Sequence, residues 1–227
     1  PKNNLKNINQ AFINCDVEIE RIISKMFALG ANYLNNNELH GGTILIDSDY
    51  DKTSLSLFKN LALIYSITLP VGINNITKDI SKVCLLDLKE SEIITNNLDY
   101  MFKNNSNIFD DNSYLKKEYF INSSYRKISK NLILDVIKAR VDEIFYKLKN
   151  YSNNPGFDLN SGIKILLVGH GSNLNNLDNY CSHTFGPNLS SIVKKNASEL
   201  EGFEKNYASF IGAIKIIKDG WETEAIP

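Results

Sequence analysis

Apolar residues recur along the chain in short runs broken by Gly, Pro and Asn, and each run predicts one element. Residues 17–23 alternate well enough for a strand, and 26–34 reads as a short apolar helix ending in a loop at Asn35, Asn36 and Asn37. Gly41 and Gly42 introduce a buried-strand run over 43–47, and after a polar turn residues 54–58 alternate with period two. Two strands and a tight turn make a hairpin. Asn60 breaks the pattern before a third β-rich run at 63–69, which ends at Pro70, Val71 and Gly72. Strands that follow one another without a helix between them predict an antiparallel meander instead of a βαβ unit.

Periodicity turns helical further on. Residues 77–83 and 88–94 predict two short helices, whereas 96–125 holds Asn, Ser, charges and isolated aromatics and predicts short strands and loops. Ile128, Leu132, Val136, Val141, Phe145 and Leu148 fall at helical spacing on one face, predicting a helix about 30 Å long. A Pro- and Gly-bearing linker over 153–162 leads to a buried strand at 163–168 that runs into Gly169, His170, Gly171 and Ser172. Strand, glycine turn and helix form a ligand-binding arrangement, because glycines let successive backbone N–H groups approach an anion. Residues 207–217 close the pattern as an apolar helix with the small residues Ala208, Gly212 and Ala213. No internal repeat is visible.

Composition narrows the function classes. A net charge of −1 over 227 residues provides no whole-chain field toward nucleic acid or anionic lipid. Cys15, Cys84 and Cys181 are odd in number and irregularly spaced, which fits reduced thiols buried as small hydrophobes and not a disulfide framework or a zinc knuckle. No apolar run approaches the roughly 20 residues that span a bilayer, and the Asn-rich start is no signal peptide. The first residue is Pro1 and the last is Pro227, just after an acidic stretch, so the chain is expected to be cut from something longer.

Taken together, the order and spacing resemble the C-terminal half of FtsA, the actin-like ATP-binding protein of bacterial cell division. Residues 43–58 are similar to that family's "LIDIGGGTTDIAVF", and 69–80 to its "IPVGGNHITNDIA". Leu88 to Glu92 resembles "LEEAE", 137–145 "IIEPRVEEIF", 166–174 "VVLTGGGALL", and 207–212 "YATAVG". The resemblance implies an α/β actin-like, ribonuclease H-like ATPase lobe, a mixed sheet with an antiparallel meander flanked by helices, plus a smaller α+β subdomain. In family terms residues 1–14 would be a remnant helix of lobe I, 15–83 with 160–227 a discontinuous subdomain IIA, and 84–159 subdomain IIB.

The same resemblance implies ATP with Mg²⁺, held by Asp47, Thr53, Gly72, Glu92, Gly169, Gly171 and Ser172. Asp49, Tyr50 and Asp51 stand where the family has three phosphate-turn glycines, and Thr95 where it has a lysine. One carboxylate about 4 Å from a phosphate costs on the order of 4 kcal/mol at an effective dielectric of about 20. That is more than a hundredfold in affinity, although a Mg²⁺ shared between carboxylate and phosphate reverses the sign. Nucleotide binding is therefore expected to be weakened, metal-dependent or lost.

Arg140 and Glu143 match an R-x-x-E pair that, in the family, belongs to the docking surface for the C-terminal tail of FtsZ. They lie three apart on one helical face, where an exposed intrahelical ion pair worth little is the alternative. The resemblance further implies a cytoplasmic adaptor without catalytic residues. It would be peripheral on the inner membrane at the division site through a C-terminal helix beyond Pro227, and would self-associate into filaments. A PilM-like pilus-assembly adaptor shares the expected fold. A haloacid dehalogenase-type phosphatase would use Asp47 as nucleophile and Asp49 as general acid, but it requires a crossover helix after Asp51 where a hairpin is predicted. A calcium loop starting at Asp47 has Lys52 and Phe58 where glycine and glutamate are required. His170 with Ser172, and Cys181 with His183, lack the companions that acyl transfer or zinc demands.

Overall fold

The computed structural model describes residues 2–97, 113–152, 163–173, 192–194 and 207–219, with Leu177, Tyr180 and Thr184 as isolated positions. The chain runs α1 (Lys2–Ile13), α2 (Lys25–Tyr33), α3 (Asn36–Gly41), β1 (Thr43–Ser48), β2 (Thr53–Lys59), β3 (Ala62–Leu69), α4 (Ile73–Cys84) and α5 (Leu88–Asn97). After a 3₁₀ turn at Lys117–Tyr119 come α6 (Lys130–Ser152), β4 (Lys164–Val168), a second 3₁₀ turn at His170–Asn173, β5 (Ile192–Lys194) and α7 (Ala208–Asp219).

The strands form one mixed sheet in the order β3-β2-β1-β4-β5. The three-strand meander is antiparallel, while β4 pairs parallel to β1 and β5 parallel to β4. Asn60 and Leu61 take positive φ at the β2–β3 turn, so the residue that broke the hydrophobic pattern is the residue that turns the chain. Strand β1 is buried along its whole length, as a central strand covered on both faces must be. Ile44 and Ile46, with Ile165 and Leu167 of β4, join Ile76 and Ile80 of α4 and Ile133 and Ile137 of α6 in one core. The alternate residues Leu45, Leu166 and Val168 face a second core with Met26 and Leu29 of α2 and Ala208 of α7. The result is a helix–sheet–helix sandwich whose period-two alternation divides the strand side chains between two cores.

Several expectations need correction. Residues 17–23 form no strand; they are irregular and mostly exposed, with no partner strand to reward their alternation. The Asn-rich segment at 35–37 begins helix α3, because Asn35 Oδ1 accepts from Glu38 N and Glu38 Oε2 accepts from Asn35 N, a capping box. Helix α4 starts at Ile73, four residues before the predicted 77, directly after Gly72. Strand β5 had no counterpart in the reading. Cys84 is buried as expected, but Cys15 is exposed. The linker at 153–162 and the pair Cys181 and His183 lie outside the described residues.

Candidate functional site

Parallel pairing of β1 with β4 sets Asp47 beside Val168, so the turns that follow the two strands emerge side by side. The first is the tight hairpin between β1 and β2, closed by Asp49 N donating to Lys52 O at 2.9 Å. The second is Gly169 through Asn173. They approach so closely that the glycines are explained by protein contact alone. Gly169 has φ of +83°, and a Cβ there would lie 2.5 Å from Asp47 Oδ1; one at Gly171 would lie 2.2 Å from Ser48 Oγ. On the other flank a Cβ at Gly72 would lie 2.4 Å from Tyr50 O. Helix α4 then spends its first free N–H groups on this hairpin: Ile73 N donates to Asp49 O and Asn74 N to Tyr50 O at 2.8 Å. A helix start that often receives an anion is here occupied by the protein's own carbonyls.

Thr53 is buried, and its hydroxyl donates to Val71 O at 2.8 Å, fastening β2 to the segment before Gly72. Asp51 accepts from Asn74 Nδ2 at 3.0 Å. Both turns contribute to one cavity of about 310 Å³, Tyr50 from the first and His170 from the second, with Ile73, Thr77, Glu92, Thr95 and Asn96 completing the wall. Asp47, Thr53, Gly72, Gly169 and Gly171 thus surround the hairpin, Glu92 stands on α5 at the cavity, and Ser172 belongs to the second turn. No crossover helix follows Asp51, which removes the geometry a haloacid dehalogenase-type site requires.

The reading of the sequence missed Lys25. Its ammonium lies 2.7 Å from Asp47 Oδ2 and 2.8 Å from Asp49 Oδ2. Asp47 is 2% exposed, and among the described residues its Oδ2 has no aligned hydrogen-bond donor, so this ion pair is its electrostatic compensation. Burial works against the charged Lys25, but its close pairing with the Asp47 and Asp49 carboxylates outweighs it and raises its pKa above the ordinary value. Burial likewise disfavours the Asp49 carboxylate, yet Lys25, the Tyr50 N–H and nearby His170 hold its pKa below the usual range. His170 Nδ1 is 3.2 Å from Asp49 Oδ1. One signal pointed to Lys25: it is the only charged residue in the stretch 25–34.

The cavity has the volume, the aromatic Tyr50 and the Glu92 carboxylate suited to an adenosine-sized molecule. A divalent ion fits poorly, because Asp47 and Asp49 already share the Lys25 ammonium and Asp51 accepts from Asn74. Among the described residues no three His, Cys, Asp or Glu side chains converge to hold a metal.

Arg140 lies on the seam between α4 and α6. Its Nε donates to Asp79 Oδ2 at 2.6 Å, it pairs with Glu143, and Lys147 reaches the same glutamate. The Asp79 hydrogen bond, ahead of the opposing burial, raises the Arg140 pKa. Lys147 and Arg140 together lower that of Glu143 despite burial. Arg140 and Glu143 are therefore brought together as the spacing implied, with Asp79 as a third member that spacing did not suggest.

No family model matches the sequence. Relatives named cell division protein FtsA include that of Helicobacter pylori, 31% identical over 80 residues, 35% of this chain and 16% of that protein. The Neisseria meningitidis serogroup B protein is 24% identical over 162 residues, 70% of this chain and 38% of the relative. The Buchnera aphidicola protein is 23% identical over 233 residues, covering 96% of this chain and 54% of the relative. The chain spans from about a sixth to about half the length of these relatives. Among solved structures, MreB5 of Spiroplasma citri bound to ADP superposes with a TM-score of 0.69 at 18% identity, over all of this chain and 67% of that one. A PilM–PilN type IV pilus biogenesis complex gives 0.57 at 18% identity, over 90% and 54%. The fold is actin-like.

Proposed function

We propose that this chain is the nucleotide-site half of an FtsA-type division adaptor, which in the complete protein links FtsZ filaments to the cytoplasmic membrane. The observation that carries the reading is the run of FtsA-named relatives, one of which aligns across 96% of the chain. The adaptor role does not call for hydrolysis. The hairpin turns the carbonyls of Asp49 and Tyr50 to α4, and Asp47 and Asp49 turn their carboxylates to Lys25, which sets negative charge and an internal cation where a phosphate would approach. In this reading the cavity holds the adenosine end of a weakly bound nucleotide, with Glu92 accepting from ribose hydroxyls and Tyr50 and His170 at its mouth.

Arg140 is the proposed contact for the acidic FtsZ tail. Asp79 and Glu143 hold the guanidinium in place, and an incoming carboxylate competes with Glu143, the more exposed of the two. Anisotropy titration of a labelled FtsZ-tail peptide tests this. Arg140→Ala is expected to weaken binding by about tenfold or more, the scale of losing one charge-assisted pair. Asp79→Asn serves as the control for disturbance of the α4–α6 seam. An unchanged dissociation constant in a folded Arg140→Ala protein defeats the FtsZ assignment. In that case a PilM-like adaptor, supported by the pilus-complex neighbour, takes its place, and the partner is a pilus protein.

A further inference from the structure

We infer that Lys25 is the resident cation of the phosphate-side hairpin, a built-in replacement for the divalent ion that an actin-like site would hold there. Three observations converge on it. The ammonium sits between two carboxylates from the same turn, 2.7 Å from Asp47 and 2.8 Å from Asp49. The buried Asp47 Oδ2 relies on that charge, with no aligned donor among the described residues. The charged groups facing the ammonium are these two aspartates, with the partly buried Tyr33 hydroxyl in its electrostatic range and His170 on the far side of Asp49.

A divalent ion needs oxygens within about 2.0–2.6 Å and keeps much of its water shell, so it cannot share these two carboxylates with an ammonium at hydrogen-bond distance. The lysine is tethered on α2, and the two carboxylates lie across one tight turn, so the ion would have to displace a cation of high effective concentration. Lys25 thereby makes the site indifferent to Mg²⁺ and sets its ligand preference toward species that do not arrive with a metal. This conclusion is independent of whether the partner is FtsZ, because its readout is metal alone.

Mn²⁺ supplies that readout through paramagnetic broadening of the backbone amides at Asp49 and Tyr50, measured on the full 227-residue chain. In the wild-type protein, Mn²⁺ up to about 1 mM, a concentration at which weak carboxylate sites fill, is expected to leave these amides no broader than distant exposed ones. Lys25→Gln and Lys25→Met are expected to expose a saturable site at least ~10-fold tighter than anything on the wild type, and Asp49→Asn in the same background to abolish it. Saturable broadening at Asp49 in the wild type overturns the inference, and that arm stands even where a Lys25 variant fails to fold. So does a folded Lys25→Gln protein that gains no site.

Discussion

Glu90 is fully buried, and its carboxylate accepts from four donors: Asp87 N, Asn122 N, Ser123 N and the Ser123 hydroxyl. It closes a capping arrangement at the start of α5 and pins a loop 32 residues onward. Although burial alone would raise its pKa, the hydrogen bonds from Ser123, Asp87 and Asn122 dominate and lower it to about 2, against an ordinary 4.5. A folded-state pKa below the unfolded one contributes stability above about pH 4.5, and that contribution is lost as pH falls toward 2. Glu90→Gln is expected to cost on the order of 2 kcal/mol at pH 7, the scale for hydrogen bonds to a charged group. Urea unfolding at pH 7 and pH 3 checks this; a mutant deficit that does not shrink at pH 3 contradicts it. The spacing Asp87-x-x-Glu90 is visible in the sequence, and Glu90 and Glu92 both match glutamates of the family motif, but the resemblance implies a ligand role for Glu92 alone.

At the scale of elements, α2 and α7 meet through their backbones. A Cβ at Gly212 would lie 1.8 Å from Ala28 O, and Lys215 reaches across to Asn32 Oδ1 at 2.8 Å. The small residues at 208, 212 and 213 predicted close packing, and the structure supplies the opposing surface that no local pattern reveals. Gly212→Val is expected to separate the helices and cost on the order of 3 kcal/mol, as overpacking does when backbone must move. Thermal unfolding measures the loss, and a melting temperature within a degree of wild type would mean the crossing is looser than described. The central elements were legible because strands buried on two faces and a long one-faced helix leave strong periodic signatures, as at 43–47 and 128–148. Residues 17–23 misled because alternation specifies a strand only where a neighbour supplies hydrogen bonds, and α3 was hidden because asparagines serve equally as loop formers and N-caps.

Over the whole molecule, the candidate site was legible in its glycines and acids but not in its charge balance. Gly169 and Gly171 announced a tight turn, whereas the pairing of Asp47 with Lys25 joins residues 22 apart through a helix crossing the sheet, and no spacing rule reaches that far. The resemblance divides the chain at 84 and 159, and among the described residues one buried core includes side chains from both parts. Ile44 and Ile46 of the central strand belong to the same apolar cluster as Ile94 of α5, Leu115, and Ile133 and Ile137 of α6, and Arg140 ties α6 to Asp79 of α4. A shared core makes partial unfolding of 84–159 expose the face of the sheet, so the two parts are expected to unfold together. Ile137 is completely buried in that cluster, and Ile137→Ala is expected to cost about 2–5 kcal/mol. Urea titrations followed by far-ultraviolet circular dichroism and by amide signals of β1 should shift to lower denaturant by the same amount in this variant. If the β1 signals persist after the helical signal has gone, the two parts are separately stable, and the continuous core does not govern the fold's cooperativity.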